Sequence, residues 1–274
     1  MTALPKSIDY NVSLPSLPSD ARCEDVVLRP INGATFSSSQ TIQWNFPSSG
    51  FIVPDSIYLR YTYTLVNAAQ ADMIGLPAAA PFSRLNVLFG SNMIESQSGF
   101  NQNATLLSNI GLSVSEKYGL QSAHGYAVAA GTPTIQDMDG RECAINESGS
   151  LALMLPCVLS NAEKMLPAFA MPSIRLEMVV DAVSAIFRAD APATSITLSN
   201  CELCYRQVSL GAEVEAMVRL APQIHIKTQS LLNQASLMPV GTVGQSSIVY
   251  NVRLASIKSM FMLAASTQAN GNGW

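Results

Sequence analysis

The side chains of this sequence that could do chemistry are few, and their spacing argues against most of it. Only two histidines occur, His124 and His225, and neither has a cysteine or carboxylate partner at ligand spacing. A metal site of the barrel type needs several histidines and a glutamate converging on one point, which two isolated imidazoles cannot supply. His225 sits between Ile224 and Ile226, on what alternation makes the polar side of a strand, so it is expected to face solvent. Cys201-Glu-Leu-Cys204 has C-x-x-C spacing, but zinc would need a second pair or a nearby histidine, and there is none. On a strand, residues three apart point to opposite faces unless a bulge intervenes, so buried free thiols are the expectation. Asp137-Met-Asp-Gly140 opens like a calcium loop, yet the twelfth position holds Ser148 where glutamate is required; Gly140 fits an ordinary Asp-Gly turn, leaving at most a weak loop site. The sequons at Asn11, Asn103 and Asn146 carry little meaning without a secretory signal. No Walker loop, G-x-S-x-G elbow or H-E-x-x-H is present. The expectation is a protein that is not an enzyme, with no catalytic, cofactor-binding or metal residues.

Composition points elsewhere. Of the 274 residues, 48% are hydrophobic and only 12% charged, against about 25% charged in an ordinary soluble domain. So little charge leaves a broad neutral surface, for which burial against other copies is a natural outlet. The net charge is −4 and the five lysines (Lys6, Lys117, Lys164, Lys227, Lys258) form no patch, so direct nucleic-acid binding is not expected. Five cysteines without framework spacing, and an N-terminus that lacks a signal peptide's apolar run, suggest reduced thiols in a cytosolic or nuclear setting. The strongest apolar run, Leu151–Leu159, is broken by Pro156 and is too short to span a membrane.

The elements that would position any site are mainly strands. In FIVPDSIYLRYTYTL, Ile57, Leu59, Tyr61, Tyr63 and Leu65 alternate with Tyr58, Arg60, Thr62 and Thr64, the period-two mark of a half-buried strand. Leu85, Val87 and Phe89 repeat it, Gly90-Ser91-Asn92 turns the chain, and a helix candidate follows in QSGFNQNATLLSNI. Further strands are expected at 23–28, at 40–46 with Ile42, Trp44 and Phe46 inward, at 150–155 with Leu151, Leu153 and Leu155 inward, and at 174–180. From 195 to 206, Ile196 and Leu198 lie in one phase but Cys201, Leu203 and Tyr205 in the other, which predicts a bulge or a bend near Ser199-Asn200. Val214, Met217, Val218 and Ala221 predict a helix stopped by Pro222. One helical turn is expected at 161–165, a strand from Ile224, strands at 247–254 and 257–263, and an irregular excursion over 113–146. The reading is all-β: an antiparallel β-sandwich of jelly-roll type with short helical insertions. It divides into an extended, Pro- and Ser-rich arm at 1–21, a jelly-roll domain at 22–246, and a last strand region at 247–274.

The order of these pieces resembles the first jelly roll of the double-jelly-roll major capsid proteins of virophages and polinton-like viruses. The segments that carry the resemblance are IQWNFPSSGFIVPDSIYLRYTYTL, PFSRLNVLFGSNMIES, NQNATLLSNI, SITLSNCELCYRQVSL and GAEVEAMVRLAP, within about residues 22–266. The resemblance implies a virion protein, made in the host cytoplasm or nucleus, that self-assembles into trimeric pseudo-hexameric capsomers tiling an icosahedral shell. Its implied partners are further copies, neighbouring capsomers, and penton and minor capsid proteins. The arm 1–21 would lash neighbours together, and the excursion would face outward or lie between subunits. One roll's worth of sequence is present where that family has two, so the chain is either part of a longer protein or a single-roll penton or minor capsid protein. A lectin-like sandwich using Tyr58, Tyr61 and Tyr63 as a stacking surface is the alternative from another class, although alternation turns Tyr61 and Tyr63 inward.

Overall fold

Period-two alternation becomes strand almost wherever the sequence displays it. The computed structural model describes residues 21–67, 69–125, 141–188, 192–221 and 223–232, with Ile257 and Met260. The arm up to residue 20, the Asp137–Gly140 loop and most of 247–263 lie outside the described residues. The chain forms β1 (Arg22–Leu28), β2 (Thr35–Ser37), β3 (Thr41–Asn45), β4 (Phe51–Ile52), β5 (Tyr58–Val66), β6 (Ala71–Met73), β7 (Phe82–Phe89) and β8 (Asn92–Ser98). Helices α1 (Phe100–Gly111), α2 (Val114–Gly119) and α3 (Gln121–His124) come next. Then come β9 (Arg141–Cys143), β10 (Ser148–Met154), β11 (Leu166–Pro167), β12 (Ile174–Val180), α4 (Val183–Ile186), β13 (Ser195–Ser209) and α5 (Ala212–Leu220).

All the pairings are antiparallel. In the first sheet β13 is central: β1 and β2 share one of its edges, β4 and β5 the other, and β10 and β11 lie beyond them. The second sheet runs β3-β12-β7-β8, and a small β6-β9 ribbon joins two of the connections. Taking β1/β2, β4/β5 and β10/β11 as broken single strands, the chain visits eight positions in two four-stranded sheets, which is the jelly-roll circuit. It closes at Ser209.

The core lies between the sheets and is made by the predicted inward residues. Leu59, Tyr61, Tyr63, Leu65, Leu151, Leu153, Ile196, Leu198, Leu203 and Tyr205 face Ile42, Trp44, Leu85, Val87, Leu176 and Met178, all of them buried. Each such side chain contributes about 1.5–3 kcal/mol as an upper estimate. The phase slip in β13 is a bulge. Ser199 pairs with Thr62 and Glu202 with Arg60, so Asn200 and Cys201 together oppose Tyr61, and Asn200 takes a left-handed φ of 48°. The Trp44 indole reaches across from the second sheet and donates to the Cys201 carbonyl at 3.3 Å. Tyr61 and Tyr63 carry hydroxyls into the interior and find acceptors there, the Ala78 carbonyl at 2.9 Å and Glu147 Oε1 at 2.6 Å.

Several expectations are corrected. Residues 161–165 form no helical turn. The Ser160 hydroxyl bonds the Leu155 and Cys157 backbone, and Glu163 N–H donates to Lys227 O at 3.0 Å, so these groups are used before a helix can claim them. A 3-10 turn forms instead at Ala168–Ala170. Ile224 starts no strand; residues 223–232 run as an irregular strap whose polar groups bond loop residues and the Glu95 side chain of β8 rather than the backbone of a neighbouring strand. The described residues of the excursion include two short helices, α2 and α3, and β9. Nor is β7 half-exposed, since its outward Asn86 and Leu88 are buried and α1 packs on this strand.

Two core substitutions test this packing. Trp44→Phe strands the Cys201 carbonyl without its donor and should cost about 1–3 kcal/mol, read as a lower denaturation midpoint with an unchanged m-value. A Cβ on Gly149, which pairs with Tyr63, would lie 2.7 Å from the Tyr63 hydroxyl and 2.9 Å from its ring. Gly149→Ala should therefore destabilise by about 1–3 kcal/mol, the usual cost of overpacking; an unchanged midpoint would contradict the packing described.

Candidate functional site: an outer sheet face

The residues with chemical potential are scattered. His124 ends α3, buried, with its pKa lowered by loss of solvent, and its backbone carbonyl accepts from Ala78 N at 3.0 Å. His225 is exposed on the strap, as expected. Cys201 points into the core and Cys204 to the outer side of the same strand, so the C-x-x-C pair does not converge. All five cysteines are free and only Cys23 is exposed. Burial pushes the Cys157 thiol up to about 11 and that of Cys201 to about 12. Among the described residues, no three His, Cys, Asp or Glu side chains are grouped to hold a metal, and no helix is long and apolar enough to cross a membrane.

What the fold does build is a broad outer face on the first sheet, ordered in rows that cross four strands. Ser37, Thr197, Thr64 and Ser148 are register partners in one row, and Thr35, Ser199, Thr62 and Ser150 in the next. Neighbouring hydroxyls within the rows bond each other, Ser148 to Thr64 at 3.0 Å and Thr62 to Ser150 at 3.1 Å. Beyond the bulge, Glu202 and Arg60 pair at 2.6 Å, with Arg29 3.7 Å from the same carboxylate. The following row is apolar: Val27 (45% exposed), Cys204, Tyr58 (37%) and Met154 (50%). Arg206 and Asp25 close the face at 3.4 Å. Each carboxylate in these rows is paired with an arginine of the same chain, and the rest is small hydroxyl or apolar side chain.

The second sheet presents a different exterior. Gln43 bonds Glu177 at 3.1 Å, the Arg175 guanidinium lies 3.1 Å from the same carboxylate without a hydrogen bond from its Nε, and Ser96 donates to Asn86 at 2.8 Å. The predicted helix α5 forms, but its apolar stripe does not dock: no residue of it is buried, with Met217 72% and Leu220 82% exposed. Its tie to the roll is Arg219, whose guanidinium lies 5.2 Å above the Phe169 ring. The hydroxyl rows escape a reading of the sequence because they exist only once register is fixed. Their trace in the sequence is Ser or Thr at alternate positions in 35–37, 62–64, 148–150 and 195–199.

No protein-family model matches the sequence, and no curated protein matches it. Solved structures are similar in fold. PBCV-1 VP54, in a crystal structure fitted into a cryo-EM reconstruction of the virophage Sputnik, superposes with a TM-score of 0.52 at 8% identity, covering 77% of this chain and 47% of that one. A quasi-atomic model of the PBCV-1 virus capsid gives 0.51 at 8% identity, covering 76% and 46%. The Faustovirus major capsid protein gives 0.52 at 11% identity, covering 76% and 57%. The fold is therefore the jelly roll of viral major capsid proteins, as the resemblance in the sequence led one to expect. This chain spans about half the length of the chains it matches.

Thiol chemistry is set by burial. In the native protein a thiol reagent should modify Cys23 quickly and the other four only on unfolding, since the thiolate is the reactive species. Cys23→Ser should abolish the fast phase; rapid loss of two or more thiols would mean that the sandwich is open.

Proposed function

We propose that this chain is a structural subunit of a viral capsid, located in the virion, whose work is self-association. The observation that carries the reading is a jelly-roll circuit of the capsid-protein type whose outer sheet face is internally charge-paired and otherwise hydroxyl or apolar. Four strands at about 4.8 Å spacing and five rows at about 6.8 Å give that face about 650 Å². A standard interface buries about 800 Å² per partner, so the face alone supplies a large part of one contact. Unpaired charge is what an interface core avoids, and this face carries little.

In the finer form of the proposal, subunits gather into trimeric pseudo-hexameric capsomers that tile an icosahedral shell beside penton and minor capsid proteins. Residues 1–21 act as an arm, 22–246 as the roll, and 247–274 as the join to a second roll. The strap supports a roll boundary beyond Ser209, because residues up to Leu231 still bond to the sandwich. A second reading is a single-roll penton or minor capsid protein, for which the circuit formed by residues 22–209 would serve. Neither reading calls on catalysis or a cofactor.

Light scattering on the eluting protein, followed by negative-stain imaging, separates these readings. A threefold particle surviving dilution supports the capsomer, fivefold rings the penton, and a stable monomer at micromolar concentration counts against both. Thr64→Lys with Met154→Lys places two unpaired charges on the face at exposed positions. Assembly should be lost while monomer stability changes by no more than about 0.5 kcal/mol per site; assembly unaffected by the pair would remove this face from the interface.

A further inference from the structure

The inward side of edge strand β8 carries Glu95 and Gln97, both buried, where alternation asks for apolar residues. Glu95 Oε2 accepts the Val158 N–H at 2.6 Å, and Oε1 accepts the Leu231 N–H at 2.8 Å. Gln97 Nε2 donates to the Pro156 carbonyl at 2.7 Å. One carboxylate thus joins three segments: β8, the turn over residues 156–161, and the strap 223–232. Around it the strap is tied by Lys227 Nζ to Glu163 at 2.7 Å, by Asn161 Nδ2 to the Gln229 carbonyl at 3.3 Å, and by the Thr228 hydroxyl to the Val158 carbonyl.

The electrostatic setting is one-sided. Among the described residues no cation pairs with Glu95. The titratable group facing it from the turn is the Cys157 thiol, which is neutral at ordinary pH. On the strap, Lys227 is exposed and committed to Glu163, and across the sheet the register partner is apolar Val87.

We propose that Glu95 is a proton-operated latch on the strap: a proton on its carboxyl seats residues 226–231 against the edge of the roll, and ionisation loosens them. A carboxylate buried without a counter-charge loses more hydration than its N–H donors return. Burial accordingly holds the Glu95 pKa above the ordinary carboxylate range. Release of the strap returns water to the carboxyl and its pKa toward the ordinary value, so the docked state binds the proton more tightly. Docking is then fully favoured below the ordinary pKa and weakens as pH rises through the raised one. This inference is independent of the assembly reading, since it concerns contacts within one chain.

Hydrogen exchange of the full chain, corrected for intrinsic rates, tests it between pH 4 and 8. Protection of the peptide covering 226–232 should fall with rising pH, by up to about tenfold for each unit separating the two pKa values, while a β12 peptide stays level. Glu95→Gln should flatten the profile. Leu231→Pro, which deletes one donor and spares the carboxyl, should move its midpoint to higher pH. A level wild-type profile, an unchanged profile in Glu95→Gln, or an unmoved midpoint in Leu231→Pro would each overturn the latch.

Discussion

The Trp44 indole bound to the Cys201 carbonyl ties the two sheets to each other across the apolar core. β13 runs for fifteen residues and meets different neighbours along its length, β2 and β5 near its start, β1 and β4 near its end. A regular strand of that length twists steadily and cannot exchange its faces. The bulge at Asn200 and Cys201 lets the strand change phase, so that Ile196 and Leu198 before it and Leu203 and Tyr205 after it all point inward. Interrupting the ladder exposes backbone polar groups in the dry interior, and a buried carbonyl without a donor costs about 1–3 kcal/mol. Trp44 supplies that donor from the opposite layer. The bulge and the tryptophan therefore belong together, and their bond ties β3 to the middle of β13.

The margins of the roll obey the same rule of satisfied polar groups by other means. β8 is an edge strand, and a long apolar edge would invite pairing with foreign strands. Inward-facing Glu95 and Gln97 make β8 a poor template; the N–H groups of Val158 and Leu231 bond the Glu95 carboxylate, and the Pro156 carbonyl accepts from Gln97 Nε2. Near the other sheet, Glu147 does comparable service, holding the Tyr63 hydroxyl with one oxygen and the Ala144 N–H with the other. The core thus stays apolar in the middle and becomes polar only where a connecting loop can pair with it.

Much of this was legible in the residues. Ile57 to Leu65 and Ile174 to Val180 alternate so regularly that strand, face and burial follow together, and the slip near Ser199-Asn200 falls within one residue of the bulge at Asn200 and Cys201. Other features were not, for identifiable reasons. The burial of Glu95 leaves no local trace, because the N–H groups that bond its carboxylate come from Val158 and Leu231, 63 and 136 positions away. Ile224 and Ile226 alternate like a strand, but the strap's backbone is taken by loop residues and the Glu95 side chain, so no ladder forms. Helix α5 shows a further limit of periodicity: the stripe of Val214, Met217 and Val218 reports that a face is apolar and says nothing about what lies opposite.

The low charge of the chain acquires a physical meaning on the outer face. Under the proposed function, a surface that meets its partner many times over gains little from isolated ion pairs, whose worth at exposed sites is about 0–1 kcal/mol and falls with salt. Rows of serine and threonine at strand spacing are small enough to keep a sheet flat, and their hydroxyls can turn as donor or acceptor to suit what approaches. Arg60 and Glu202 satisfy one another within the chain, so a neighbour covering them need not supply a counter-charge. The apolar row through Val27, Tyr58 and Met154 then supplies the non-directional attraction, with Tyr58 offering a large ring at small entropic cost. Affinity on such a face comes from area and fit, which suits a contact repeated identically at every position of an assembly.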